Sequence, residues 1–184
     1  MMRSSDFQGV ASRKPSIYLV GSIRDDYIKE DVEWRERVID ACGDLAVFLN
    51  ALGGKTFNPE TKAWSLHGLV PGADLIVQQD FWCVDHADIL LCNFTSLSVK
   101  YPTIGSLIEF GRSTGRSGCL RYSIIDPGYT GHDNKALFKL HPFIEKNSAI
   151  VFYSIDDVVE KLPWILTNMS GLNPHFGGIV APTT

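Results

Sequence analysis

Glu109 lies in TIGSLIEFGR, residues 103 to 112, a segment with helical apolar spacing and one acidic side chain beside its stripe. Two chemistries fit it. Ser106 and Glu109 stand three apart, so SLIE matches a capping box in which each side chain bonds the other's backbone N–H. Alternatively, Ile104, Leu107, Ile108 and Gly111 form the buried stripe and leave Glu109 on its flank near the helix start. There the peptide dipoles favour an ionised carboxylate, as a nucleophile requires. Asp80, in VQQDFWCVDHAD, is flanked by Phe81 and Trp82. Such surroundings favour a protonated carboxyl able to serve a leaving group, although a solvated helix-face aspartate fits the same pattern. Asp85 reads as solvent-facing and Asp88 as a strand-entry turn residue; neither is given a role.

GSIRDD, residues 21 to 26, is the third feature. A Gly-Ser turn leaving a buried strand exposes backbone N–H groups, and Arg24 adds a bidentate cation, so Gly21, Ser22 and Arg24 compose an anion cradle or an ordinary strand-to-helix turn. The turn is neither GxGxxG nor a Walker loop, which argues against a dinucleotide or ATP. Tyr18 sits inside the preceding apolar run, where a buried hydroxyl needs a partner, structural or catalytic. His67, His86, His132, His141 and His175 are scattered without ligand spacing, so no metal site is expected, and nothing calls for a cofactor. Cys42, Cys83, Cys92 and Cys119 lack CxxC spacing and read as reduced core thiols.

Positioning these groups falls to alternating strands and helices. SIYLVGSI (16 to 23) suits a buried central strand ending in a tight turn at Gly21. Apolar residues from Glu30 to Leu52 recur at helical spacing until Gly53 and Gly54 stop them. KTFNPET (55 to 61) reads as the second strand, and KAWSLHGLVPGA as loop. DLIVQQDFWCVDHA is helical and passes into the strand DILLCNFT (88 to 95). After the polar loop SLSVKYPT comes the Glu109 helix, closed by GRSG at 115 to 118. CLRYSIID (119 to 126) and AIVFYS (149 to 154) are further strands, followed by a helix from Asp156 to about Thr167 with acidic residues in its first turn.

This alternation predicts an α/β fold: a doubly wound, flavodoxin-like five-stranded parallel sheet with helices on both faces. Its ligand crevice lies beyond the strand carboxyl ends at the topological switch point, which brings the Gly21 turn and the 95 to 109 segment together. One domain over residues 15 to 168 is expected, with a polar, patternless arm at 1 to 14 and an irregular tail at 169 to 184. A chain of 184 residues, 45% apolar and 21% charged, can bury one core. Its net charge of −4 gives no basic footprint for a nucleic-acid polymer, so a small substrate fits better. No run approaches the roughly 20 apolar residues of a membrane span, and the N-terminus lacks a signal-peptide core. The protein is read as cytoplasmic.

In order and spacing, IYLVGSI, QQDFWCVDHADILLCNFT, TIGSLIEFG and SIDDVVEKL resemble the nucleoside 2-deoxyribosyltransferase family and its nucleotide N-glycosidase relatives, over most of residues 16 to 162. The family pattern Ser/Thr-x-Gly-Ser/Thr-x-x-Glu matches Thr103, Gly105, Ser106 and Glu109. The resemblance therefore implies Glu109 as nucleophile, Asp80 as the acid/base for the nucleobase and Tyr18 as the residue that orients nucleophile and sugar. Gly21, Ser22, Arg24, Thr103, Gly105, Ser106 and Asn93 are the implied substrate-binding residues. The implied reaction is cleavage of the N-glycosidic bond of a 2′-deoxyribonucleoside or its 5′-monophosphate, with transfer to another nucleobase. Hydrolysis is the alternative, and a non-catalytic nucleotide sensor is the different-class rival. The turn Gly21-Ser22-x-Arg24 resembles the monophosphate hydrolases, whereas the long NFTSLSVKYPT loop and the segment opening at Trp34 are similar to transferases. Family members also form dimers or larger assemblies, so a homo-oligomer is implied, and the 126 to 143 segment could complete a neighbour's pocket.

Overall fold

SIYLVG is apolar on both of its faces and forms β1 (Ser16–Gly21), buried along nearly its whole length. In this computed structural model the described residues are 13–22, 28–49, 55–58, 60–61, 63–66, 69, 72–95, 103–125 and 142–169. The expected arm, apart from residues 13 and 14, the tail beyond 169, Arg24 and the 126 to 141 stretch lie outside them. β1 pairs in parallel with β2 (Val47–Leu49) on one side and β5 (Ile89–Asn93) on the other. β6 (Leu120–Ile124) and β7 (Ile150–Phe152) extend the sheet in the order β2-β1-β5-β6-β7, all parallel. This is the expected flavodoxin-like order, whose switch point lies between β1 and β5.

Period-two alternation sorts the strand side chains into two layers. Ile17, Leu19, Ile89 and Leu91 face α1 (Ile28–Cys42) and α5 (Ile155–Met169) through Trp34, Val38, Cys42, Val158, Leu162 and Leu166. Tyr18, Val20, Leu90 and Cys92 face the opposite way. They meet α2 (Gly72–His86), α3 (Ile104–Ser113) and α4 (Pro142–Asn147) through Cys83, Val84, Phe110 and Ile144. A single residue of slip would move Tyr18 to the α1 side, so the register of β1 decides what its hydroxyl can reach.

Asp88 holds that register at the strand entry. Its Oδ2 accepts from the Ser16 backbone N–H and the Ser16 hydroxyl, both at 2.8 Å, and Arg13 pairs with both carboxylate oxygens. The sequence placed Asp88 at a strand entry and gave it no role; in the fold it ties that entry to the start of β1. All four cysteines are buried with free thiols, and burial pushes the Cys42 thiol up to about 11.

Three sequence expectations need correction. The helix read from Glu30 to Leu52 ends at Cys42, because Gly43 takes φ +48° and a single 3₁₀ turn delivers the chain into β2. The edge strand was hidden in the apolar run AVFL. KTFN, expected as the second sheet strand, forms β3 (Lys55–Asn58), which pairs antiparallel with β4 (Ala63–Leu66) as a separate ribbon. KAWSLHGLVPGA is accordingly not all loop. The third correction concerns α3: Ile104 is 61% and Ile108 52% exposed, with Leu107 exposed too, while Ser106, Glu109, Phe110 and Ser113 are buried. The spacing 106-109-110-113 is a true helical face, but a mostly polar one. Phe110, in edge contact with Phe94 at 5.6 Å, anchors it, and burying that ring is worth roughly 2–3 kcal/mol. Small serines one turn to either side let α3 approach β1 and β5 closely.

Candidate active site

Tyr18 projects from β1 toward the α2 and α3 layer, and its hydroxyl donates to Glu109 Oε1 at 2.8 Å. Asp80, in the third turn of α2 and one turn before the buried Cys83 and Val84, reaches the same phenol. Burial raises the Tyr18 pKa far above its ordinary value; the Glu109 and Asp80 charges and hydrogen bonds to both push it further. Tyr18 is thus held protonated, with its hydroxyl donating to Glu109.

Glu109 is 8% exposed and does not cap its helix. The N-cap of α3 is Thr103, three residues ahead of the position a capping box would need, and it makes no side-chain cap bond. Ser106 lies within the helix. The capping reading of SLIE is therefore overturned: it assumed a helix starting at Ser106, and α3 starts earlier. Glu109 sits in the second turn, where rotation of α3 about Phe110 aims it inward. A buried carboxylate is tolerated only with polar partners, and the Tyr18 hydroxyl supplies one.

These three side chains face a cavity of about 230 Å³ lined also by Leu19, Gly21, Ser22, Arg35, Thr103, Gly105 and Ser106. It opens beyond the carboxyl end of β1, where switch-point crevices are found. Of the ten expected site residues, Glu109, Asp80, Tyr18, Gly21, Ser22, Thr103, Gly105 and Ser106 meet there. Arg24 lies outside the described residues. Asn93 is not brought into the lining: its Oδ1 accepts from the backbone N–H and hydroxyl of Thr95, at 3.0 and 2.7 Å, shaping the turn after β5.

Thr103 has an unusual backbone. It adopts φ 40°, ψ 48°, a left-handed conformation that costs a β-branched residue dearly, and its Oγ1 is buried without a hydrogen-bond partner among the described residues. Strain and an unsatisfied hydroxyl coincide in the cavity wall.

Arg35 escaped the sequence reading. It is 4% exposed, and its Nη2 donates to Gly21 O at 3.0 Å. A signal was present: positions 35, 38 and 42 share the buried face of α1, so a charge recurred in step with the core. Gly21 permits this approach. A Cβ there would meet Trp34 Cζ2 at 3.0 Å and Arg35 Nη2 at 3.3 Å.

Among the described residues no group of three or more His, Cys, Asp or Glu is arranged to hold a metal, and no helix is long and apolar enough to cross a membrane. What the cavity offers is two carboxylates, one protonated phenol and a guanidinium around a space fit for a small polar molecule.

No family model matches the chain, and no curated protein matches it. Among solved structures, the CMP N-glycosidase BcmB of Clostridium botulinum aligns over 82% of this chain and 98% of its own, at 12% identity and a TM-score of 0.47. A conserved protein from Enterococcus faecalis V583 aligns over 83% of this chain and 99% of its own, at 15% identity and a TM-score of 0.56. That last likeness is one of fold: it extends the five-stranded parallel α/β architecture to a distant sequence.

Proposed function

We propose that this protein cleaves the N-glycosidic bond of 2′-deoxyribonucleosides or their 5′-monophosphates through a covalent deoxyribosyl–Glu109 intermediate and passes the sugar to another nucleobase. The observation that carries the reading is that two carboxyl side chains, Glu109 and Asp80, line one cavity with Tyr18, whose hydroxyl donates to Glu109. Breaking a C1′–N bond builds positive charge on the sugar and negative charge on the base, so the chemistry calls for one carboxylate at the anomeric carbon and one acid at the base.

The C1′–N bonding pair leaves with the base, which takes a proton from Asp80, while a Glu109 carboxylate oxygen bonds C1′. Tyr18 holds Oε1 and so orients the carboxylate and spreads its charge. The acceptor base then attacks C1′ through nitrogen, returns its proton to Asp80 and releases Glu109. If water attacks instead, the product is the free sugar or its phosphate, and the enzyme is a hydrolase. A 2-deoxy sugar suits the path, because it lacks the electron-withdrawing 2′-hydroxyl that resists ionisation. The homo-oligomer implied by the family resemblance is part of this proposal, supported by the exposed apolar face of Ile104, Leu107 and Ile108 beside the cavity wall.

Incubation of the protein with a deoxynucleoside, and separately with its 5′-monophosphate, each with and without a second free base, tests the reading. New nucleoside appearing only with added base marks transfer; free base released without an acceptor marks hydrolysis. No turnover of any combination, or a Glu109→Gln protein as active as the wild type, would remove the enzyme claim.

A further inference from the structure

Thr103 departs from what its place in the chain asks of it. As the N-cap of α3, its carbonyl accepts the Leu107 N–H at 3.2 Å, the first bond of the helix. An N-cap threonine ordinarily takes an extended backbone, and its hydroxyl accepts the N–H of the second or third helical residue, here Gly105 or Ser106. Thr103 does neither: φ 40°, ψ 48° is left-handed, and the side chain makes no cap bond. Its Oγ1 is instead buried in the cavity wall without a hydrogen-bond partner among the described residues. A left-handed β-branched backbone and an unmet hydroxyl are thus two costs carried by one residue. A single rotation of its backbone into the extended region would relieve both.

The surroundings leave room for that rotation. In the first turn of α3, Ile104 is 61% exposed, Gly105 is exposed, and a Cβ placed on Gly105 would meet no atom within 4 Å. Anchoring begins at Ser106, with Glu109 and Phe110 behind it. A turn with so few buried contacts can change shape while the rest of the helix stays packed. Strain held beside a cavity, with an alternative conformation within reach, is the condition for a bistable element.

We propose that Thr103 is a two-state switch at the head of α3. In one state its backbone is left-handed and Oγ1 is in the cavity wall. In the other the backbone is extended, Oγ1 accepts the Ser106 N–H as an ordinary N-cap does, and the hydroxyl has left the wall. A polar molecule that hydrogen-bonds Oγ1 meets it only in the first state, so filling the cavity biases the switch through that differential contact. Only the left-handed fraction of the empty protein is competent to bind in this way, and its size scales the apparent affinity. The switch belongs to the cavity of the proposed reaction but does not depend on which molecule fills it.

NMR relaxation dispersion on the ligand-free protein tests the switch. The amides of residues 103 to 106 should exchange on the μs–ms timescale with a minor state of roughly 0.1–10%, while those of residues 109 to 113 stay silent. Thr103→Gly, free to take positive φ and unable to cap, should hold the left-handed state and abolish the exchange. Thr103→Val, β-branched and without a hydroxyl, should hold the extended backbone and move the 104 to 106 signals the opposite way. Thr103→Ser keeps the capping group and should keep the exchange. Silent 103 to 106 amides in the wild type overturn the proposal, as does exchange that survives in both the glycine and the valine variants, which simple fraying would produce. Titrating the Glu109→Gln protein with 2′-deoxyadenosine and with 2′-deoxycytidine should collapse the exchange onto the signals of Thr103→Gly. Binding that leaves the exchange unchanged removes the coupling of Thr103 to the cavity and leaves the N-glycosidic reading standing. Binding of neither nucleoside counts against that reading, and the ligand-free spectra then decide the switch by themselves.

Discussion

The Tyr18 hydroxyl and the Glu109 carboxylate, 91 residues apart in the chain, meet at 2.8 Å across the interface between β1 and α3. The bond joins a strand residue set by sheet register to a helix residue set by rotation about Phe110. Replacing Tyr18 with Phe removes one hydrogen bond to a charged group, worth about 1.5–3 kcal/mol. Under the proposed mechanism kcat should fall by roughly 10- to 100-fold. Steady-state kinetics with a thermal melt checks this; an unchanged kcat would show that the phenol does not orient the nucleophile.

Asp80→Asn should lower turnover by about 10²- to 10⁴-fold, the range for losing a general acid. The deficit should narrow for a nucleobase that departs readily without protonation. A uniform deficit across leaving groups would assign Asp80 a binding role instead.

Thr103→Gly separates stability from function. Relief of a left-handed β-branched residue is worth about 1–3 kcal/mol, against about 0.4–1 kcal/mol for the greater freedom of glycine in the unfolded chain. The variant should melt higher than the wild type and turn over more slowly, since it also loses the buried Oγ1 in the cavity wall. A lower melting temperature would show that the backbone there is not strained.

Gly21→Ala should be destabilised by about 1–3 kcal/mol, the usual cost of overpacking. Its Cβ would press on Trp34 at 3.0 Å and Arg35 at 3.3 Å, groups packed in the core and the cavity wall. Denaturant unfolding reads the cost, and a variant as stable as wild type would mean that the α1 side chains give way freely.

Asp88 makes stability depend on pH. Burial raises its pKa, but the Ser16 backbone N–H, the Ser16 hydroxyl and Arg13 outweigh this, so the folded carboxyl lies below its usual range. A depressed carboxyl contributes stability that is fully present above the unfolded pKa, about 3.9, and lost as pH falls through the folded value. Asp88→Ala should cost about 2 kcal/mol at neutral pH, and the gap to wild type should close as pH falls through the lowered folded value. A gap that persists in acid would assign the loss to packing.

Much of the framework was legible in the order of residues alone. Compact apolar runs marked β1, β5, β6 and β7, because strands buried on both faces need no alternation. Helical spacing marked α2, α3 and α5, and the alternation of elements predicted the sheet order and the end at which ligands bind. Local pattern misled where two structures share one composition. AVFL continued an apolar helical rhythm, and only the left-handed Gly43 and pairing with β1 made it a strand.

The chemistry of the site was decided in three dimensions. SLIE offered Glu109 a local partner in Ser106; what replaced it was Tyr18, brought close by parallel pairing and helix packing. The apolar residues of α3 read as its buried face, yet Phe110 and the serines turned that face outward. Arg35 was given no part by the sequence; Gly21, lacking a Cβ, lets it close on the end of the strand. Periodicity reports which side of an element is apolar, whereas the partner of a buried polar group comes from a distant part of the chain. Only the folded chain brings the two together.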